Sequence, residues 1–401
     1  MKSCNLSRRA MLKTAGVGAV AAVAARGVAG RSAISAATAD QKPIKISDVK
    51  ATPLKTGTVI VQVFTDAGVV GIGECSPMNT VVVAGFVNTA LRPLLIDQNP
   101  LGIDVLWNKM MFKTYKLGPQ GAQPEAIAGV DIALWDILGK VTGQPIHMLL
   151  GGCYRDVVQL YASIGGGGNI QPERMVKRVE DALERGFKAV KIRMDWGPMR
   201  QDRDPEKDLE MFRQVKAVTG DGIPVGFDAN NGYSVSTAIR QGRKFEELGI
   251  SHYEEPVAQF DYAGLAQVAD ALDVPVAAGE HEYTRWQFRD LILEGKIDII
   301  QPDVVKCAGI SECWKIATLG SAFNKMFVPH QTQPTIGTVA NIHICAAIPN
   351  ADRPQEYGGA KRGLDEVFVE APVVENGMMR VPSKPGLGLE IVDAKLKKLA
   401  V

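Results

Sequence analysis

Seven ionisable residues, Arg193, Asp228, Glu254, Glu280, Asp303, His330 and Glu356, follow one another at intervals of 35, 26, 26, 23, 27 and 26 residues, and each lies at the end of a short apolar run. In a (β/α)8 barrel one strand and its helix take roughly 25–30 residues, and the C-terminal ends of successive strands share one mouth. One functional side chain per unit, delivered to that mouth, is the simplest reading of the series.

The runs themselves support a parallel sheet. Ala189 to Arg193, Ile223 to Asp228, Ile250 to Glu254, Val274 to Ala278, Ile297 to Gln301 and Met326 to His330 are short, apolar and mostly rich in β-branched residues, as strands buried on both faces should be. Between them, Pro172 to Arg185, Pro205 to Val218, Ser236 to Leu248, Arg285 to Glu294 and Gly309 to Phe323 read as amphipathic helices, with prolines suited to a first turn. An open doubly wound sheet shows the same alternation but gathers its chemistry at a switch point, which leaves acidic residues on three successive strand ends unexplained. The expected fold class is therefore α/β, a modified (β/α)8 barrel spanning residues 151–365.

The segments flanking the barrel differ from it. Residues 1–39 carry six basic and no acidic residues, with Ser7-Arg8-Arg9 ahead of the small-residue apolar run Thr14 to Ala25 and then Ala37-Thr38-Ala39. This resembles a twin-arginine export signal, which implies the twin-arginine machinery as a partner and the periplasm as destination. Beyond it remain 39 basic against 44 acidic residues, a balance that gives no reason to expect nucleic acid. Residues 44–150 read as an α+β capping domain: a meander of Val49 to Leu54, Val59 to Thr65 and Val69 to Glu74, turning at Asp66-Ala67-Gly68, then helix through Ala128 to Leu138. The tail 366–401 has no place in an eight-unit barrel and is expected to complete the capping domain. The six cysteines show no ligand spacing, and most are expected to be buried thiols.

Asp228, Glu254 and Glu280 on adjacent strand ends cannot all stay ionised at one point without a cation, and hard oxygen ligands favour Mg²⁺, with Mn²⁺ also compatible. His330 ends the strand after the one that delivers Asp303, and a carboxylate beside an imidazole fixes its tautomer and raises its basicity.

With these residues in place, Lys191-Ile-Arg193, Asp228-Ala-Asn230, Glu254-Glu255-Pro256, Gly279-Glu280-His281, Gln301-Pro302-Asp303, Val328-Pro329-His330 and Gln355-Glu356-Tyr357 resemble the mandelate racemase subgroup of the enolase superfamily. Gly279 to Trp286 is most similar to acid-sugar dehydratases. The resemblance implies a carboxylate substrate on Mg²⁺, removal of the proton next to the carboxylate, and an enediolate stabilised by the metal. It assigns Asp228, Glu254 and Glu280 to the metal, His330 and Asp303 to the catalytic dyad, and Asn230 to substrate. Glu356 takes the place of a carboxylic acid that donates a hydrogen bond to the substrate carboxylate.

One departure bears on the reaction. Many relatives carry Lys-x-Lys where this chain has Lys191-Ile-Arg193, and the second lysine is a base on the far face of the substrate. A guanidinium stays protonated and is a poor base, which weakens a two-base racemase and leaves dehydration through His330 open. Loops Lys55-Thr56-Gly57 and Cys75 to Asn79 are expected at the mouth, with Trp196, His281 and Trp286 as pocket candidates. The resulting expectation is a periplasmic, Mg²⁺-dependent sugar-acid dehydratase, assembled as a homo-oligomer. Racemisation or epimerisation of an α-substituted carboxylate, and a non-catalytic sugar-acid binder, are the alternatives.

Overall fold

The computed structural model describes residues 43–78, 80–331, 335–359 and 365–401. The leader, residues 1–39, and Asn79 lie outside the described residues. Residues 44–401 form one compact unit. No helix among the described residues is long and apolar enough to cross a membrane.

Strands β1 (Ile46–Pro53), β2 (Val59–Thr65) and β3 (Val70–Cys75) form an antiparallel sheet in that order. Helices α1 (Ile103–Thr114) and α2 (Ala122–Thr142) contribute to the same apolar core, in which Val61, Val63, Trp107, Met110, Ile127 and Leu134 are fully buried. Gly143, at φ +68°, ends α2 in the left-handed conformation that only glycine adopts without strain.

The barrel is eight parallel strands: β4 (Val157–Ile164), β5 (Val190–Arg193), β6 (Val225–Asp228), β7 (Tyr253–Glu254), β8 (Val276–Ala278), β9 (Ile299–Ile300), β10 (Met326–Phe327) and β11 (Gln355–Tyr357). β4 to β10 pair in sequence, and β11 returns to pair with β4. Gln355 Nε2 donates to Phe327 O at 3.4 Å across the remaining gap between β10 and β11. Seven helices connect the strands: α3 (Pro172–Glu184), α4 (Pro205–Thr219), α5 (Val235–Glu247), α6 (Tyr262–Ala271), α7 (Arg285–Glu294), α8 (Ile310–Ala322) and α9 (Ile336–Ala347). Asp204, Ser234 and Asp261 start α4, α5 and α6 by accepting from backbone N–H groups of the first turn.

Parallel pairing sets the register of the mouth. Arg193 lies opposite Asp228, and Asp228 opposite Glu254, so three charged residues sit abreast on neighbouring strands. Their predecessors point outward, where Phe227 and Tyr253 stack with Phe212 of α4 and Phe245 of α5, the closest ring pair at 4.4 Å. The C-terminal tail touches both parts of the fold. β12 (Met378–Arg380) pairs antiparallel with barrel strand β4, whereas α10 (Asp393–Leu399) lies by the first sheet, with Gln62 Nε2 donating to Asp393 at 3.2 Å.

Candidate active site

The centre of the mouth is a buried lysine among carboxylates. Lys191 Nζ is hydrogen-bonded to Glu254, lies 2.9 Å from Glu356 Oε1 and 3.7 Å from Asp228 Oδ2. Burial disfavours its charge, but Glu254 and Glu356 override that and hold the ammonium well above its ordinary range. Burial, followed by the charges of Glu254 and Glu280, pushes the Asp228 carboxyl well up. Glu254 is raised too, chiefly by burial, and Gln301 Nε2 donates to it at 2.6 Å.

Glu280 reaches the mouth because Gly279 precedes it at φ +136°; a Cβ there would stand 2.9 Å from the Gln301 nitrogen. The Glu280 carboxylate lies 2.5 Å from His330 Nε2, and His330 Nδ1 lies 2.9 Å from Asp303 Oδ2. Burial opposes a charge on His330, yet Glu280, Glu356 and the bond to Asp303 hold the imidazole well above its usual range. In this arrangement His330 is an imidazolium donating from both ring nitrogens. Burial also opposes ionisation of Glu280, but His330 and Lys306 override it and hold that carboxyl well below its usual range.

Glu356 is paired with Lys191, whose Nζ lies 2.9 Å from its Oε1. Against the burial penalty, Lys191 and His330 keep it ionised, with Ser163 hydrogen-bonded to it and Gln331 N donating at 3.0 Å. Hydrogen-bond donation from Glu356 would require protonation and loss of the Lys191 pairing. Arg193 is half-exposed and bonds Asp195 through Nε at 2.7 Å; burial is outweighed by Asp195 and Asp228, so it is held as a cation. Asn230, at φ +49°, turns the chain after β6 and donates its backbone N–H to Asp228 Oδ1 at 2.8 Å. His281 Nε2 stands 3.3 Å from Glu280 and 3.4 Å from Glu255, and burial lowers its pKa to about 4.

Several residues at the mouth had no role in the sequence reading. Glu255 follows Glu254, and strict alternation would turn it away from the mouth. Its φ of +42° breaks the strand and brings its side chain to His281 and to Asn231, whose Nδ2 donates at 2.7 Å. Lys306, buried three residues after Asp303, lies 3.9 Å from Glu280. Ser163, hydrogen-bonded to Glu356, is the last residue but one of β4, a strand that ends in no charged residue and so left no mark in the spacing series. From the first domain, Glu125 is hydrogen-bonded by Ser76 and by Tyr283 of the barrel, which brings the loop after β3 to the mouth. Lys55, in the other loop, bonds the tail instead, its N–H donating to Leu399 O at 2.9 Å. Trp196 donates to Asp208 at 3.2 Å, and Trp286 stacks under Arg285 at 4.3 Å.

The donor set suits a hard divalent cation. The charges of Glu254 and Glu280 oppose the ionisation of Asp228, and one more positive charge beside it would relieve that opposition. Among the described residues, the three carboxylate and imidazole groups whose ligand atoms all come within 4.8 Å of one another are those of Glu255, Glu280 and His281; Glu280 alone of the three carboxylates expected to hold the ion belongs to that group.

Comparison with known proteins places this geometry among relatives. Residues 28–151 match the mandelate racemase/muconate lactonizing enzyme N-terminal domain, and residues 174–395 the enolase C-terminal domain-like family. The chain is 36% identical to the arabinonate dehydratase of Saccharolobus solfataricus, covering 84% of this chain and 88% of that protein. It is 33% identical to the D-galactarolactone cycloisomerase of Agrobacterium fabrum, over 83% of this chain and 88% of the relative. Among solved structures, a mandelate racemase/muconate lactonizing protein from Paracoccus denitrificans, complexed with magnesium, superimposes with a TM-score of 0.86 at 39% identity, covering 89% of this chain and 98% of that one.

Proposed function

Because the chain belongs to the mandelate racemase and muconate lactonizing enzyme family of the enolase superfamily, we propose that it is a sugar-acid hydro-lyase that converts an aldonic or aldaric acid to its 2-keto-3-deoxy product. Dehydratases of arabinonate and xylonate among the relatives support the reaction class. The observation that carries the reading is the His330–Asp303 pair at 2.9 Å, set against buried carboxylates at the mouth of the barrel.

Mg²⁺ or Mn²⁺ held by Asp228, Glu254 and Glu280 would supply the positive charge that offsets charge growing on the substrate carboxylate as its α-proton leaves. His330 Nε2 takes that proton while Asp303 keeps Nδ1 protonated and the ring oriented. Before that, the imidazolium must give its Nε2 proton to solvent, and a cation on Glu280 would favour this by cancelling the charge that holds the proton there. The Cα–H bond breaks, the Cα–Cβ double bond forms and the Cβ–O bond breaks. His330 returns its proton to the departing hydroxyl, water leaves, and the enol becomes the 2-keto acid. Arg193, held as a cation beside Asp195, stabilises negative charge and takes no proton.

A screen of aldonic and aldaric acids with Mg²⁺ for 2-keto-acid formation tests the proposal. Epimer interconversion without keto product would replace it with the racemase, and binding without turnover of any acid would replace it with a sugar-acid binder. The Arg8-Arg9 pair and the apolar run behind it support export to the periplasm. On that proposal, lysine at both positions keeps the protein in the cytoplasm; an unchanged periplasmic level would overturn it.

A further inference from the structure

We propose that the N-terminal end of the barrel holds a second binding pocket, opposite the catalytic mouth, for a short carboxylate with an oxygen at its far end. A barrel interior is ordinarily filled by layers of bulky branched side chains. Here Ala189 and Ala277 share the innermost cluster with Tyr161, Ile299 and Val328, and the missing volume leaves a cavity of about 100 Å³. That exceeds several-fold the roughly 10–15 Å³ in which one water fits. Pro224, Ser251 and Arg353, each just before a strand and none fully buried, form its rim, while Tyr161, Ala189 and Ile299 form its buried depth.

The lining also holds His252, bonded to Ser251 at 3.1 Å, but the two groups with bonding capacity to spare among the described residues are the Tyr161 hydroxyl in the depth and the Arg353 guanidinium on the rim. The Tyr161 hydroxyl is buried without a hydrogen-bond partner among the described residues, a state that costs stability unless something meets it. Arg353 is half-buried, its backbone carbonyl accepts from Gln355 at 2.8 Å, its charge acts on His252, and among the described residues no ion pair or side-chain hydrogen bond forms on its guanidinium, whose fork matches a carboxylate. Apolar walls from Val190, Ile299 and Val328 lie in the same lining. A carboxylate on Arg353, a short chain along these walls and a carbonyl accepting from Tyr161 would satisfy both ends. The inner wall is shared with the mouth: Lys191 Nζ lies 5.7 Å from the centre of the Tyr161 ring, and Gln301, which lines the cavity, donates to Glu254.

The test is calorimetric titration of the full, Mg²⁺-loaded protein with 4-oxopentanoate and with its uncharged amide. The expected result is one-site binding of the acid, about tenfold or more weaker in Arg353→Gln, since one charge-assisted contact is worth on the order of 1.5–3 kcal/mol. The amide should bind no better than the acid binds to that variant. Ala189→Leu, which fills the cavity from within, should abolish binding. Unchanged affinity in Arg353→Gln would place the ligand elsewhere, the catalytic mouth included, and overturn the proposal. So would equal binding of the amide, or no binding up to about 50 mM, where a Kd in the millimolar range, about −4 kcal/mol, would register. Arg353 is half-exposed and unpaired, so its variant folds and decides the matter even if Ala189→Leu does not.

Discussion

Asp228 and Glu254 face the mouth, while Phe227 and Tyr253, their immediate neighbours in the chain, face the helices, so each strand serves two environments one residue apart. On the outer face, four aromatic rings pack with centroids 4.4–6.2 Å apart, and every contact there favours folding. On the inner face, buried carboxylates crowd one lysine, and burial is the first cause that raises both Asp228 and Glu254. The outer face stabilises the scaffold; the inner face stores electrostatic conflict that a bound cation and an anionic substrate can relieve.

That contrast can be broken experimentally. Chelation should abolish turnover, and Mg²⁺ should restore it; full activity of Glu280→Gln in metal-free buffer would remove the inner face from metal binding altogether. His330→Asn should lower turnover about 10³-fold or more, within the range for losing a general base, while its unfolding midpoint moves less than that of Phe245→Ala. Phe245→Ala should do the reverse. It removes a buried ring from the aromatic layer and should cost about 3–5 kcal/mol of stability, with turnover of the folded fraction changed only a few-fold. If His330→Asn proved the less stable variant and Phe245→Ala the less active, the division between the two faces would be wrong.

A smaller effect sharpens the comparison at the join between α2 and α8. Asp131 is fully buried, accepts from the Ser311 hydroxyl at 2.6 Å and from its N–H at 2.9 Å, and burial raises its pKa to about 7. A carboxyl with a raised folded-state pKa contributes stability that is present below its unfolded value near 4 and lost as pH rises through about 7. Wild type should therefore lose up to about 4 kcal/mol relative to Asp131→Asn between those limits. Denaturant titrations at several pH values read this directly, and a constant difference would refute the shift.

What was legible in the sequence follows the same division. The inner-face residues are ionisable, and ionisable residues ending apolar runs stand out; the six strands from β5 to β10 and the charged members of the mouth were visible for that reason. Strand β4 ends in Ser163 and Ile164, which look like any strand end, and its place in the barrel could not be read. Helix α9 is buried on every side, so it shows no amphipathic period, and short α6 was missed as well. Glu255 and Lys306 reach the mouth through local backbone geometry, a positive φ in one case and the turn after Asp303 in the other, which strand alternation does not predict. The tail was expected to complete the first domain, yet β12 adds to the barrel sheet, because Val157 to Gln159 at the start of β4 run past its pairings with β5 and β11.

The central claim is that a single base, His330, works on one face of the substrate while Arg193 remains a cation. Proton NMR in deuterated water, with each α-epimer of a turned-over sugar acid supplied separately, tests it most directly. The account predicts that one epimer loses its α-proton and yields the 2-keto-3-deoxy product while the other is left untouched, and that His330→Asn processes neither. Equal exchange from both epimers in the unmodified protein, with interconversion and no keto product, would contradict it.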